Sequence, residues 1–199
     1  MYVLLVDACP RGEGVSRTLS LLHAFEAAFF KAHPEAKRRT LRLDALRLSP
    51  IGGEALSRRE ALIDAARWED PLFAPAREFM EADGVVVAAP YWDLMFPAML
   101  KVYIEHLFIR ELTFCYRDDQ PIGLCKPRRA LFLTTAGSPV GANDFGARYL
   151  QAVFSMLGIP RFDCVRAEGL DIAGANVPEI LEKAKAETER LAGNWQYIL

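Results

Sequence analysis

Three short apolar runs along the chain predict the buried strands of a parallel sheet. They are residues 2–6 (YVLLV), 85–89 (VVVAA) and 130–135 (ALFLTT). Each run is too short for a helix, and the second lies between Gly84 and Pro90. Continuous apolar residues are typical of strands that helices cover on both faces. These runs therefore predict the centre of an α/β sheet.

Two weaker patterns predict flanking strands. Residues 40–44 (TLRLD) alternate between apolar and polar, which favours a strand nearer an edge, and residues 162–165 (FDCV) predict a last strand. Helical periodicity occupies the connecting segments, which run at about residues 16–33, 57–83, 97–110, 144–157 and from 176 onward. Strands that alternate with helices indicate a doubly wound sheet with right-handed crossovers. We expect five parallel strands in the order 2-1-3-4-5, within a single domain of residues 1–199.

Local motifs refine this prediction. Ser57 and Glu60 have the spacing of a capping box, so we expect a helix to begin at Ser57. Pro71 and Pro75 are expected to break that helical segment into two pieces. Residues 113–124 contain two short apolar stretches around a turn, which predicts a small hairpin outside the main sheet.

Charge and residue counts exclude several classes of protein. The 24 basic and 26 acidic residues nearly balance, so there is no basic surface for nucleic acid. No apolar run reaches the roughly 18 residues that a membrane span needs, and Met1 leads directly into a strand rather than a signal peptide. The four cysteines and three histidines are scattered, which argues against a disulfide framework or a metal site. We expect a cytoplasmic protein.

The loops that follow the three central strands are the candidate binding region. They are residues 7–15, 90–95 and 136–143. In an open α/β sheet, ligands bind outside the carboxyl ends of the strands, at the point where the strand order reverses. We therefore expect these three loops to converge on one site.

The first of these loops ends at a predicted helix N-terminus, Ser16-Arg17-Thr18. Free backbone N–H groups, the positive end of the helix dipole and two hydroxyls would form a phosphate cradle there. Arg17 or Arg11 would add positive charge. The alternative is that Ser16 only caps its helix, as serine commonly does.

Glycine spacing narrows the kind of ligand. Gly12 and Gly14 form only a G-x-G pair, and no Walker A motif is present, so a Rossmann dinucleotide site and a P-loop are both disfavoured. What remains is a mononucleotide with its phosphate at the helix start and a flat ring between the other two loops. Tyr91 and Trp92 follow a buried strand and would contact such a ring; the alternative is that they are packing aromatics.

The predicted helix at residues 97–110 is apolar on more than one stripe. Only a few of its positions are left to face water, namely Lys101, Glu105, His106 and Arg110. Another chain would cover part of such a helix, which predicts a homodimer; the alternative is deep burial beneath the hairpin around Phe114. In this setting His106 is interpreted as a structural or interface residue rather than a catalytic base.

Several stretches together resemble a known family. They are residues 88–94 (AAPYWDL), 100–104 (LKVYI), 113–116 (TFCY), 123–124 (GL), 133–138 (LTTAGS) and 156–159 (MLGI). In this order they resemble the flavodoxin-like FMN-dependent NAD(P)H:quinone oxidoreductases and azoreductases, over nearly the whole chain. The resemblance implies a flavodoxin-like fold, FMN as the cofactor, NADH or NADPH as the reductant, and a homodimer with FMN near its interface.

The resemblance also implies which residues bind FMN. Together with Arg11 from the charge argument, the expected set is Cys9, Arg11, Ser16, Arg17 and Thr18 at the phosphate, Pro90, Tyr91, Trp92, Asp93 and Leu94 at the ring, and Thr135, Ala136, Gly137 and Ser138 at its pyrimidine end. The expected reaction is a ping-pong transfer of two electrons to a small-molecule acceptor such as a quinone or an azo compound. It needs no catalytic side chain, because the flavin N5 carries the chemistry.

Two departures from the family pattern concern substrate choice. Trp92-Asp93 stands where azoreductases typically have Asn-Phe, and Ala136 stands where they often have arginine. Cys9 is interpreted as a small loop residue, with a reactive thiol as the alternative.

Two other classes of function share this fold pattern. A flavodoxin-type electron carrier would be strongly acidic, and the net charge of −2 argues against it. A phospho-signalling receiver needs an acceptor Asp at the end of the third strand, where this chain has Pro90-Tyr91.

Overall fold

The fold is built on a five-stranded parallel sheet. The computed structural model describes residues 1–195, so residues 196–199 of the predicted domain lie outside it. The strands of the main sheet are β1 (Tyr2–Asp7), β2 (Lys37–Arg42), β3 (Gly84–Ala88), β6 (Arg129–Thr135) and β7 (Arg161–Ala167). A separate antiparallel hairpin consists of β4 (Phe114–Arg117) and β5 (Gln120–Gly123). The sheet order is β2-β1-β3-β6-β7, which is the predicted order once the hairpin strands are counted.

Helices cover both faces of the sheet. They are α1 (Arg17–Ala32), α2 (Leu43–Leu46), α3 (Gly53–Asp64), α4 (Ala74–Glu81), α5 (Ala98–Leu107), α6 (Phe145–Met156) and α7 (Val177–Gly193). Short 3₁₀ turns, Pro71–Phe73 and Gly141–Asn143, precede α4 and α6. Side chains of α1 and α7 form one core cluster with the sheet, and those of α4, α5 and α6 form the other. This is the doubly wound arrangement that the sequence pattern predicts.

The central strands supply both cores because their side chains alternate between the two faces. Leu4 and Val6 pack with the α5 and α6 side, whereas Val3 and Leu5 pack with the α1 and α7 side. Every residue of β3 and β6 is buried. Continuous apolar runs are therefore required at these strands, since both faces of each strand lie in a core.

Hydrogen bonds beyond the strand ends bring the loops together. The Ala8 N–H donates to the Ala88 carbonyl at 2.9 Å, and the Ala89 N–H donates to the Leu133 carbonyl at 3.1 Å. On the other side of β6, the Ala136 N–H donates to the Ala167 carbonyl at 2.9 Å. The loops after β1, β3, β6 and β7 therefore leave the same edge of the sheet, as parallel pairing requires.

The structure corrects three local predictions. Strand β2 begins at Lys37, because the basic residues 37–39 pair with residues 2–4 of β1 as an exposed edge strand. The capping box at Ser57 is wrong: α3 begins at Gly53, and the Ser57 hydroxyl donates to the Gly53 carbonyl. His106 does not face water, since it is buried with its Nε2 3.0 Å from the Ser49 carbonyl oxygen.

Within residues 1–195, no helix has both the length and the apolar character needed to cross a membrane.

Candidate functional site

A cleft opens at the carboxyl ends of β1, β3 and β6. It has a volume of about 560 Å³, which includes space open to solvent. Most of the residues predicted for the site line it, namely Arg11, Ser16, Arg17, Thr18, Pro90, Tyr91, Trp92, Thr135, Ala136 and Gly137. The predicted residues that do not line it are Cys9, Asp93, Leu94 and Ser138. The three loops therefore converge as the topology predicts.

One wall of the cleft is the first turn of α1. Ser16 caps this helix, because its Oγ accepts a hydrogen bond from the Leu19 N–H at 3.1 Å, while its own N–H donates to the Gly12 carbonyl at 3.2 Å. Within the described part of the chain, the amides of Arg17 and Thr18 make no hydrogen bond. Unpaired amides in the first turn of a helix, together with the helix dipole, suit an anion. Ser16 therefore shapes this wall chiefly by starting the helix there.

Thr135 ties the three loops to one another. Its Oγ1 lies 2.6 Å from Oγ1 of Thr18, and both residues are buried. Its carbonyl accepts a hydrogen bond from the Tyr91 N–H at 2.9 Å. Thr135 at the end of β6 thus contacts both the start of α1 and the loop after β3, which makes the relative positions of the loops interdependent.

Cys9 lies beneath the cleft rather than in it. Its N–H donates to Oδ1 of Asp7 at 2.9 Å, and its Sγ lies 3.5 Å from the Ala88 carbonyl oxygen. Burial raises the pKa of the Cys9 thiol to about 12, so the thiolate needed for reactivity is disfavoured. Burial likewise raises the pKa of Asp7 above its ordinary value. The structure favours the interpretation of Cys9 as a small loop residue.

The loop after β3 forms a tight turn at the mouth of the cleft. The Trp92 N–H donates to the Met95 carbonyl at 3.3 Å, and the Met95 N–H donates to the Trp92 carbonyl at 2.7 Å. The two central residues of this turn, Asp93 and Leu94, have φ values of 48° and 66°. Positive φ at both positions is the signature of a type I′ turn, which aspartate tolerates but which is costly for Leu94.

This turn holds large side chains in solvent. Trp92 is 43% exposed and Leu94 is 49% exposed, and Phe145, at the start of α6, is 46% exposed. The Tyr91 hydroxyl, in contrast, is anchored by a 3.1 Å hydrogen bond to the Asn143 carbonyl. The Trp92 N–H is engaged within the turn. The alternative that Trp92 is a packing aromatic does not fit its exposure.

A fourth loop contributes residues that were not predicted. Leu170 and Asp171, which follow β7, line the cleft beside Gly137. The Leu170 N–H donates to the Ala136 carbonyl at 3.1 Å, and the Asp171 N–H donates to the Gly137 carbonyl at 2.9 Å. The Asp171 carboxylate reaches Arg17, with 2.8 Å between Oδ1 and Nη1. The signal that was available is positional, since β7 neighbours β6 and its carboxyl end faces the same edge.

Comparison with known proteins agrees with this geometry. The sequence profile of the flavodoxin-like fold family matches residues 1–192. The chain belongs to this family. Among its relatives, FMN-dependent NADH:quinone oxidoreductase 2 of Clostridium acetobutylicum is 33% identical over 196 residues, covering 94% of this chain and 98% of the relative. An FMN-dependent NADH:quinone oxidoreductase of Clostridium perfringens is 29% identical over 192 residues, covering 96% and 97%.

Solved structures of other proteins share the same architecture. An azoreductase from Bacillus anthracis strain Sterne superposes with a TM-score of 0.89 at 24% identity, covering 98% of this chain and 100% of that chain. An FMN-dependent NADH-azoreductase from Bacillus anthracis strain Ames Ancestor, solved with FMN, has a TM-score of 0.87 at 22% identity, covering 97% and 98%. At these identities the structures support the fold. The predicted family resemblance is confirmed.

Proposed function

We propose that this chain is an FMN-dependent NAD(P)H oxidoreductase that passes two electrons to a quinone, an azo compound or a similar acceptor. Its relatives named FMN-dependent NADH:quinone oxidoreductases align with it from end to end. The observation in the structure that carries the proposal is the cleft itself. It joins unpaired amides at a helix N-terminus to the half-buried Tyr91 and the exposed Trp92, which suits a flat molecule that bears a phosphate.

The residues of the cleft fit FMN. The lining combines the first turn of α1 with the loops after β3 and β6, so an anionic end and a flat ring would each meet a different part of the cleft. The amides of Arg17 and Thr18 would hold the phosphate, and Arg11, which is exposed at the cleft, would add charge. The ring would lie against Tyr91 and Trp92, with its pyrimidine end near residues 135–137. One residue disagrees, because Asp171 brings a carboxylate into the same cleft.

Bound FMN would supply the two-electron chemistry that no side chain of the cleft can supply. The protein's own contribution is positioning. Thr135 pairs with Thr18 and accepts a hydrogen bond from the Tyr91 N–H, so it holds the start of α1 in a fixed position relative to the loop after β3. Trp92 offers an exposed aromatic surface at the cleft on which a flat acceptor can stack.

The departures from the azoreductase pattern bear on the acceptor. Trp92 is the large exposed aromatic of the turn, whereas Ala136 is buried and leaves the cleft without a basic side chain at that position. We propose that stacking on Trp92, rather than pairing with a cation at position 136, selects the acceptor. NADPH as an alternative reductant and a cytoplasmic location also remain proposals; the free state of all four cysteines supports a reducing compartment.

A visible spectrum of the purified protein tests the proposed function. We expect a yellow protein whose flavin absorbance bleaches with NADH and returns when a quinone is added. A yellow protein that is inert to both nicotinamides would instead favour the flavodoxin-type carrier. A colourless protein that cannot be reconstituted with FMN would refute both flavin proposals.

We also propose a homodimer formed through a groove beside α5. The groove has a volume of about 630 Å³, which includes space open to solvent, and Ile51, Leu56, Ile104 and Phe108 are among its apolar lining. The hairpin adds Tyr116, which is 56% exposed and packs edge-on against Phe114. We expect multi-angle light scattering to give twice the chain mass of 22.3 kDa. A monomer at micromolar concentration would refute the proposed dimer, whereas the spectral test of flavin binding in the cleft is independent of that result.

A further inference from the structure

We propose that Asp171 is a specificity-determining residue of the cleft, which lowers the affinity for a phosphorylated flavin relative to an unphosphorylated one. It would do so by pairing with Arg17 and by placing a carboxylate beside the phosphate wall. The inference rests on the proposed function, because it concerns the ligand of that same site. Arg17, the cation at the start of α1, already has Asp171 as its anionic partner.

The backbone fixes where the Asp171 carboxylate lies. The Asp171 N–H donates to the Gly137 carbonyl at 2.9 Å, which holds this residue next to the loop after β6. A Cβ atom at position 137 would overlap Oδ2 of Asp171, so the carboxylate lies directly against the glycine. The other carboxylate oxygen, Oδ1, is 2.8 Å from Nη1 of Arg17 in the first turn of α1.

Arg17 is therefore already engaged at the place where a phosphate is expected. Besides the carboxylate, its Nη1 lies 3.4 Å from the Leu170 carbonyl oxygen. A phosphate at the amides of Arg17 and Thr18 would compete for the same guanidinium, which suits phosphate and carboxylate equally in its planar geometry. A phosphate monoester carries about −1.5 to −2 charges at neutral pH, so a neighbouring carboxylate also repels it.

The ion pair is weak enough for a phosphate to displace. The Arg17 and Asp171 side chains are 42% and 69% exposed, and exposed pairs contribute little to stability. The structure thus combines a replaceable contact with a charge that opposes one class of ligand. A flavin without a phosphate would neither compete with Asp171 for Arg17 nor be repelled by the Asp171 carboxylate. The discrimination is directed at the phosphate and not at the ring.

Fluorescence titration of the flavin-free full-length chain with FMN and with riboflavin tests this inference. For Asp171→Asn at low salt we expect FMN to bind about threefold to tenfold more tightly than to the wild type. Riboflavin affinity should change by less than about twofold. In 1 M salt the gain for FMN should shrink, since the Debye length falls to about 3 Å.

Asp64→Asn provides a matched control. Asp64 forms an ion pair with Arg110 at 3.0 Å, and the two side chains are 71% and 48% exposed, close to the values for Asp171 and Arg17. The substitution removes the same charge at a position that does not line the cleft. We expect no change in either flavin affinity, and thermal unfolding of both variants should match the wild type within a few degrees.

A double-mutant cycle with Arg17→Ala separates competition from direct repulsion. If the pairing carries the effect, Asp171→Asn should improve FMN binding by about twofold or less once Arg17 is absent. Weaker FMN binding in Asp171→Asn would overturn the inference, since it would mean that Asp171 holds Arg17 in place for the phosphate. Equal gains for FMN and riboflavin would overturn it too. A wild-type chain that binds neither flavin would refute the proposed function itself.

Discussion

The two walls of the cleft are built in opposite ways. On the wall formed by Ser16, Thr18 and Thr135, the side-chain hydroxyls meet partners within the fold, and both threonines are buried. The wall formed by the turn at residues 92–95 exposes Trp92 and Leu94, and its central residues adopt positive φ. The first wall is stabilised by the fold, whereas the second is held in a costly shape at the surface.

The difference indicates what each wall contributes. Buried hydroxyls that hydrogen-bond each other restrict the movement of their side chains. The wall of Ser16, Thr18 and Thr135, here called the hydroxyl wall, is therefore suited to hold the fixed end of a ligand. The turn keeps large apolar side chains in water and accepts backbone strain, neither of which the fold requires. Strain of this kind at a cleft is typical of residues that act on a ligand. Substitutions should therefore change stability at the first wall and binding at the second.

The largest effect is expected from substitutions that remove the hydrogen bond between Thr18 and Thr135 in the hydroxyl wall. Thr18→Val leaves Oγ1 of Thr135 buried without its 2.6 Å partner, and we expect a loss of about 1–3 kcal/mol in the free energy of unfolding, measured with urea. Thr135→Val should cost a similar amount. The double variant should cost less than the sum of the two, because neither hydroxyl then remains unpaired.

The adjacent Thr134 offers a control for this prediction. Its Oγ1 is also buried but has no hydrogen-bond partner in residues 1–195, so Thr134→Val should be neutral or stabilising by up to about 1 kcal/mol. If Thr18→Val costs no more than Thr134→Val, the hydroxyl pair does not hold this wall.

The sequence predicts the parts of the molecule that depend on continuous patterns. Apolar runs identify β1, β3 and β6, and parallel topology alone then places the three loops at one edge. The same reasoning predicts β2 at residues 40–44 and misses its start at Lys37, because the basic residues 37–39 lack apolar alternation although an edge strand can leave such side chains in water. It also misjudges His106, which is covered by the irregular segment around Ser49.

Side-chain contacts between residues far apart in the chain cannot be predicted from local sequence patterns. Asp171 lies 154 positions from Arg17, and no local pattern in either segment indicates that they pair. The Thr18 to Thr135 hydrogen bond joins residues 117 positions apart in the same way. Aspartate after a strand and arginine in a first helical turn are both common on surfaces, so only the folded geometry shows that these side chains meet in a cleft.

A smaller effect is expected from a substitution in the second wall, the turn at residues 92–95. Leu94→Gly should relieve the strain at φ 66° and raise the free energy of unfolding by up to about 1 kcal/mol. It should also weaken FMN binding several-fold, since the added backbone freedom loosens the turn that positions Trp92, which lines the cleft. Urea unfolding and flavin fluorescence titration measure the two effects separately. Glu111→Gly is a matched control, because Glu111 is exposed and has φ 64° but lies outside the turn at residues 92–95 that carries Trp92. It should gain similar stability with FMN affinity unchanged, and an equal loss of affinity in both variants would contradict a specific role for Leu94.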